Sequence, residues 1–543
     1  MMLQAITINK SDNIAVCLTD LSKGSEVDVN GKSYTLLENV QAKHKFALTD
    51  LEPGNEIKMY GVLVGTAKEK IKEGGALTVN NIKHSASEYT GKTDSKSTYQ
   101  APDITKWKGR TFMGYHRNDG QVGTANYWLV FPLVFCENRN IEILKAAFYR
   151  VLGYEKENKY VNFLNELVVG QNGSNGNAQY SEIQSEKPVF ENIDGVKFLT
   201  HQGGCGGIRQ DSEVLCRLLS GYINNPNVAG ATVLSLGCQN AQIKLFKDSL
   251  KAVNPDFEKP LIILDQQEVG TEEELLKAAI SRTLDGLMEA NKVERKPAPL
   301  SKLSIGLECG GSDGFSGISA NPTLGRVSDV ISELGGKAIL SEFPELCGVE
   351  QELINRMDDD ENVNKFINLM RTYEKAAVDS GSGFDMNPSP GNIKDGLITD
   401  AMKSAGAAKK GGNSPVRDVL DYTEYVKKPG LNLLCTPGND VESTTGLAGS
   451  GANIILFTTG LGTPTGNPIT PVIKVSSNTK LAAKMPDIID FNTGPVIEGK
   501  KTIEEMGDEL VDLIIEVASG NKLTKAMELQ QEDFIPWKRG VSL

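Results

Sequence analysis

Long apolar runs are missing from this chain. No stretch of its 543 residues approaches the roughly 18 apolar residues that a membrane-spanning helix needs. The opening residues, MMLQAITINKSDNIAVCL, have no basic segment leading into an apolar one. A soluble, cytoplasmic protein with no membrane partner is therefore expected. Cysteine is too thin, at eight residues, to staple a chain of this length, and a reducing compartment would keep the thiols free. Aromatics make up only 6%. Positive charge is also short: the net charge of −13 and pI near 5.1 leave no broad face to neutralise phosphate, which excludes nucleic acid as a partner. A small anionic ligand needs only a few local Arg and Lys. Walker-type loops, a Gly-x-Gly-x-x-Gly fingerprint, a nucleophile elbow and paired CxxC motifs are all absent, so phosphoryl and hydride transfer lack their usual supports.

What is present in quantity is glycine, at 55 residues, and its placement is informative. In residues 301–326, SKLSIGLECGGSDGFSGISANPTLGR, a β-type run from Leu303 to Leu307 gives way to Glu308, Cys309, Gly310, Gly311, Ser312, Asp313 and Gly314. Glycine at that density lets backbone approach a ligand, and the carboxyl ends of strands are where open α/β sheets hold ligands. The chain is long enough for about two to four domains. Residues 1–84 alternate short β runs with turns at Asn30-Gly31 and Pro53-Gly54, a small β-rich domain. Residues 85–108 are polar and aperiodic and read as a linker. Beyond them, short apolar runs ending in glycine or polar residues alternate with helical patterns, which predicts an α/β class with mostly parallel sheets, divided into subdomains at 109–300 and 301–543. Helices are expected at Glu272–Met288, Arg326–Leu334, Pro344–Tyr373 and Ile503–Ala518.

Candidate site residues follow from these strand ends. Cys136, Cys205, Cys238 and Cys309 each close an apolar run, and Cys205 stands between glycines in His201-Gln202-Gly203-Gly204-Cys205-Gly206-Gly207, with no side chains beside it to pack against. In Lys43-His44-Lys45 the flanking charges favour the neutral imidazole, which suits a base or a metal ligand. His116, Arg117 and Asp119 bring an acid/base group, a carboxylate binder and a carboxylate together. Such groups suit metal-assisted proton abstraction from a hydroxylated substrate.

These segments resemble the sugar-acid dehydratases, the altronate/galactarate dehydratase family with an N-terminal SAF domain. The likeness runs through Gly114-Tyr115, Arg117-Asn118-Asp119-Gly120 and Val122-Gly123-Thr124, then His201 with Gly204-Cys205-Gly206, Gly237-Cys238, and Cys309-Gly310-Gly311-Ser312-Asp313 with Asn321-Pro322. It continues through Asn387-Pro388-Ser389-Pro390-Gly391-Asn392, Pro437-Gly438 with Asp440, and Phe457-Thr458-Thr459-Gly460, covering nearly all of residues 110–500. His44-Lys45 matches the His-Lys pair of the SAF domain. Two departures stand out: Ala125 where an arginine is expected, and Leu77-Thr78-Val79-Asn80-Asn81 where histidines are frequent.

The resemblance implies elimination of water from a polyhydroxy acid to a 2-keto-3-deoxy acid, with altronate the expected substrate and galactarate or glucarate the alternative. It implies Fe(II), with Mn(II) as a second choice, and a homo-oligomer, a dimer. His44, Lys45, His116 and Asp119 are the expected proton-transfer group. Arg117, Asn126, Ser312, Asp313, Asn321, Thr459 and Lys474 are expected to hold the substrate. His44, Cys136, His201, Cys205, Cys238 and Cys309 are the expected metal ligands. A non-catalytic sugar-acid-binding protein is the reading from another class.

Overall fold

The computed structural model describes residues 3–93, 99–156, 158–172 and 187–542. Residues 3–83 form three small antiparallel sheets, as the alternating pattern predicts. In the hairpin Glu26–Val29/Lys32–Thr35, Val27 and Val29 point inward while Glu26 and Asp28 face water. The turn between the strands places Asn30 and Gly31 at φ 55° and 82°. Two successive positive φ values make the turn that matches strand twist, which is why Asn-Gly stands there. Between Lys83 and Thr111 the described residues form no helix or strand, and residues 94–98 of the expected linker lie outside the described ones. The segment is nonetheless anchored: Trp107 is buried, and Lys106 and Arg110 bind Asp512 at 2.9 and 2.6 Å.

The middle region carries a parallel four-stranded sheet in the order Gly195–Phe198, Tyr127–Pro132, Val228–Ser235, Leu261–Asp265. Every residue of Val228–Ser235 is buried, so the strand reads as a continuous apolar run rather than an alternation. Trp128 fills the space between this sheet and the helix Glu272–Ala290, where a β-carbon at Gly286 would lie 2.1 Å from its ring. A three-stranded antiparallel sheet, Val122–Gly123, Thr111–His116 and Lys296–Pro299, joins this region to the next.

The last region holds a seven-stranded, wholly parallel sheet ordered Val416–Leu420, Gly430–Leu434, Lys337–Leu340, Ser304–Cys309, Ile454–Thr459, Val472–Ser476, Phe491–Asn492. The chain first winds outward from Ser304–Cys309 on one side, then returns to lay Ile454–Thr459 on the other. The crevice at the carboxyl ends of those two strands is the topological switch point, the place where sheets of this kind bind ligands. Cys309, Gly310 and Gly311 lie in it.

Two helical expectations need correction. The helix expected at Arg326–Leu334 begins earlier, spanning Ala320–Glu333. The continuous helix expected over Pro344–Tyr373 is three pieces: a 3-10 turn Phe343–Leu346, a short helix Glu350–Asn355 and a long one Asp360–Asp379. Gly348 at φ 92° ends the first, and Asp359 caps the third by accepting a hydrogen bond from Asn362 N–H. The helix Ile503–Ala518 is as expected, with a Thr502/Glu505 capping box. Among the described residues no helix is long and apolar enough to cross a membrane.

Candidate active site

The switch-point crevice is floored by five buried groups. Cys309, the last residue of its strand, donates its backbone N–H to Glu342 Oε2 at 3.0 Å and its thiol proton to Glu345 Oε2 at 3.0 Å. Glu342 follows the neighbouring strand Lys337–Leu340 and is held at φ 68°, ψ 63°, a strained setting for a side-chain-bearing residue. Glu345 lies in the 3-10 turn that follows. Two lysines come from the small-residue segment 400–411: Lys410 donates to Cys309 Sγ at 2.8 Å and to Glu342 Oε2 at 2.5 Å, and Lys403 donates to Glu345 Oε1 at 2.6 Å and Asn387 Oδ1 at 2.8 Å. Alanine and glycine around those lysines let the ammonium groups reach inward with little side-chain bulk beside them. Beneath, Glu308 accepts from Ser341 and Ser443 at 2.7 and 2.6 Å.

Burial sets the charges. Burial and the nearby Glu342 push the Glu308 carboxyl well up, and burial also pushes the Cys309 thiol up. Burial would raise Glu345 too, but Lys403 and Lys410 hold it below the ordinary carboxylate range. Against burial, the carboxylates and thiol around them keep both lysines charged. At the mouth, Asp440 opens the helix Asp440–Gly449 beside Gly310, where a β-carbon would lie 2.1 Å from Asp440 Oδ2. Burial, then Glu342 and Glu345, raise Asp440 to about 7. Groups with displaced pKa values gathered in a strand-end crevice are the mark of a site for proton transfer.

Beside this cluster Asp313 is a wholly buried hub. Its Oδ1 accepts from Ser316 N–H at 2.9 Å, Ser316 Oγ at 2.9 Å and Ser477 Oγ at 2.8 Å, and its Oδ2 from Asn478 at 3.2 Å and the Lys43 ammonium at 3.0 Å. The N-terminal domain thus reaches into the crevice. Lys43 also binds Asp395 at 2.6 Å, His44 Nε2 meets Lys394 O at 3.0 Å, and Lys45, buried, donates to Gly396 O at 2.5 Å. Burial lowers the Lys45 ammonium to about 7 and lowers His44 as well.

Comparison with known proteins agrees with this architecture from end to end. The family described as Altronate/galactarate dehydratase SAF domain matches residues 3–85, D-galactarate dehydratase/Altronate hydrolase, second domain, matches 114–291, and D-galactarate/Altronate dehydratase, C-terminal, matches 300–542. The chain is 34% identical to the altronate dehydratase of Escherichia coli (strain K12), over 100% of both chains, and 34% identical to that of Bacillus subtilis (strain 168), over 99% of both. The chain belongs to the altronate/galactarate dehydratase family. Its identity to the galactarate dehydratase (L-threo-forming) of Escherichia coli (strain K12) is 30%, over 96% of this chain and 93% of that one.

The structure divides the residues that the family resemblance suggested. Ser312, Asp313, Asn321 and Thr459 do gather at the crevice. There Ser312 O and Asn321 tie the loop to Asn392, Thr458 and Gly406, and Thr459 Oγ1 accepts from Gly462 N–H at 2.9 Å. His116, Arg117, Asp119 and Asn126 lie elsewhere, at the amino end of the strand Tyr127–Pro132. Arg117 is spent on Pro226 O at 2.8 Å and Asn126 Oδ1 at 2.9 Å, Asp119 on Gln121 and Asn254, and His116 Nε2 meets Pro297 O. Lys474 is buried under Phe457 with its ammonium on Thr465 O, and burial lowers it to about 8.

The suggested metal ligands are scattered as well. Cys136, Cys205 and Cys238 are exposed at the carboxyl end of the middle sheet and, among the described residues, make no three-ligand set with one another. His201 lines a cavity of about 530 Å³ with Cys205. Its ring is taken on both sides, with Nε2 on Pro132 O at 2.8 Å and Nδ1 accepting from Gly203 N–H at 3.1 Å, which leaves neither nitrogen for an ion; burial lowers it to about 4. Cys309 does join Glu342 and Glu345 in a set of close donors. Yet Lys403 and Lys410 already stand on those donors as countercharge, and a dication would face both ammonium groups at contact distance. This set does not fit the ferrous ion that the resemblance implies. Sequence reasoning passed over Lys403, Lys410 and Asp440 as site residues. The available signal was three lysines, Lys403, Lys409 and Lys410, set in AMKSAGAAKKGG, a run too apolar and small to be a solvated helix face.

Proposed function

We propose that this chain dehydrates D-altronate to 2-keto-3-deoxy-D-gluconate. The observation that carries the reading is Asp440, a carboxyl titrating near 7 at the mouth of an ammonium-lined crevice, in a chain similar over its whole length to altronate dehydratases. A hydrogen on the carbon next to a carboxylate is too weakly acidic to leave unaided, because its departure puts a second negative charge on the carboxylate oxygens. Lys403, which reaches the crevice beside Asn387, is the preplaced positive group for that charge, and it costs no reorganisation when the charge forms. Asp440, ionised above about pH 7, takes the C2 proton. It then returns a proton to the departing C3 hydroxyl, so one water leaves and the enol becomes the ketone. Glu345 keeps Lys403 charged and aimed, at 2.6 Å.

The reading is tested with a coupled assay for 2-keto-3-deoxy acid on D-altronate, galactarate and D-glucarate, using enzyme loaded with Fe(II) or Mn(II) beside a chelated control. Turnover of altronate above the other two acids is expected. Turnover of galactarate alone would move the substrate assignment, and no product from any acid under either loading would sink the dehydratase reading.

A further inference from the structure

A second set of metal-type donors lies at the seam between the N-terminal and C-terminal regions. His84 follows the last strand of the N-terminal domain, Cys347 follows the turn Phe343–Leu346, and Asp400 opens the helix Asp400–Ala407. One nitrogen, one sulfur and one oxygen from these residues lie within 4.8 Å of one another. Gly348, at φ 92°, makes this possible: a β-carbon there would sit 3.3 Å from the methyls of both Ala86 and Ala401, so the backbone turns tightly between the two segments.

The set differs from the Cys309 cluster in one decisive respect. Among the described residues no lysine or arginine forms an ion pair with Asp400, although the carboxylate is wholly buried. Its Oδ2 is shut off from water without an N–H or O–H donor, and the carboxylate's neighbours are the Cys347 thiol, which hydrogen-bonds to it, and Ser404 Oγ at 3.5 Å from Oδ1. His84 Nδ1 receives only a long bond, 3.4 Å, from Ala401 N–H. A buried carboxylate whose partners are one weak thiol donor and one long hydroxyl contact is costly unless something positive meets it.

We propose that His84, Cys347 and Asp400 hold a divalent transition-metal ion of the zinc or ferrous class, which clamps the N-terminal domain to the C-terminal one. Imidazole, thiolate and carboxylate in one set select such an ion over magnesium or calcium, whose ligands are oxygens alone. Three protein ligands leave a position open for water or a solute. On binding, the Cys347 thiol and the Asp400 carboxyl release their protons to solvent and the dication takes their place, so charge is balanced. The proposal goes beyond the dehydratase reading and does not depend on it.

The test uses full-length protein stripped with a chelator and titrated with Co(II), followed by the thiolate-to-cobalt charge-transfer band in the near ultraviolet and by Tm. The wild type is expected to develop the band and to gain Tm with Co(II) or Zn(II). Cys347→Ser, close in shape, should lose the band, and Asp400→Asn should weaken binding by tenfold or more. Cys309→Ser should keep both responses. A wild type with no band overturns the proposal, as does a band that survives in Cys347→Ser or vanishes in Cys309→Ser. None of these readouts needs altronate turnover, so a failure of that assay leaves them intact.

Discussion

At the scale of the residue, Asp440 is where the chemistry is most exposed to test. Its carboxyl is raised from 3.8 to about 7, by burial first and by Glu342 and Glu345 next. The folded state therefore holds the proton more tightly than the unfolded chain does. The stability this contributes is present below about pH 4 and lost as pH rises through 7. Asp440→Asn removes the titration, so the variant should lose less Tm than the wild type between pH 4 and 8. Its kcat/KM should drop at least about a hundredfold, the usual share of a general base, and the rise of wild-type kcat/KM through pH 7 should disappear. A variant that keeps that rise would assign it to another group. Cys309 was legible in the sequence because glycines follow it directly. Asp440 was visible only as part of a family segment, since nothing in Pro-Gly-Asn-Asp says that the carboxylate will be pressed against Gly310 from a strand well over a hundred residues earlier. The opposite error was made at Arg117. The guanidinium read as a carboxylate binder is half-buried and bound to Pro226 O, Ala125 O and Asn126 Oδ1, and sequence cannot distinguish an arginine held out for a ligand from one used up in a seam.

Among the elements, helices with strong caps and clean periodicity were legible, and those broken by tertiary demands were not. Glu272–Ala290 and Ile503–Ala518 have capping boxes and an apolar stripe, and the expected spans lie within a residue or two of them. Pro344–Tyr373 has helical residues throughout, yet Gly348 turns and Glu342 adopts a left-handed setting because the crevice requires Glu342 and Glu345 to face Cys309. Local preference gave way there to the site. The helix Glu272–Ala290 offers a test in which two effects oppose each other. By propensity alone Gly286→Ala should stabilise the helix by about 1 kcal/mol. A β-carbon there, however, would lie 2.1 Å from the Trp128 ring, which is fully buried and cannot swing away. Overpacking of this kind costs roughly 1–3 kcal/mol, so net destabilisation in urea unfolding is expected, with partial recovery when Trp128→Phe is added. Stabilisation by the single variant would show that the ring gives way.

For the molecule as a whole, the question is why a crevice in the C-terminal sheet needs the N-terminal domain. The α/β class, the small β-rich start and the parallel sheets could all be read from alternation and from strand ends. The docking could not, because Lys43 and Asp313 are far apart in the chain and nothing in either segment names the other as its partner. In the folded protein the Lys43 ammonium joins Asp313, which is wholly buried, and Asp395, while a β-carbon at Gly314 would lie 2.5 Å from Lys43 O. The loop that carries Cys309 and Gly310 into the crevice is thus pinned from outside by the first domain. Lys43→Met keeps the length of the side chain and removes the charge. Asp313 would retain its Ser and Asn donors, so the cost should fall below the 3–5 kcal/mol of an uncompensated buried charge, at about 2 kcal/mol. The loss should be local before it is global: amide exchange should quicken at 310–317 and 394–397 and across Lys45–Ala47, while the middle sheet around Val228–Ser235 keeps its protection. Altronate turnover should fall with the loosened loop. Uniform loss of protection throughout would instead mean that the three regions unfold as one unit, with Lys43 holding the whole fold rather than the crevice.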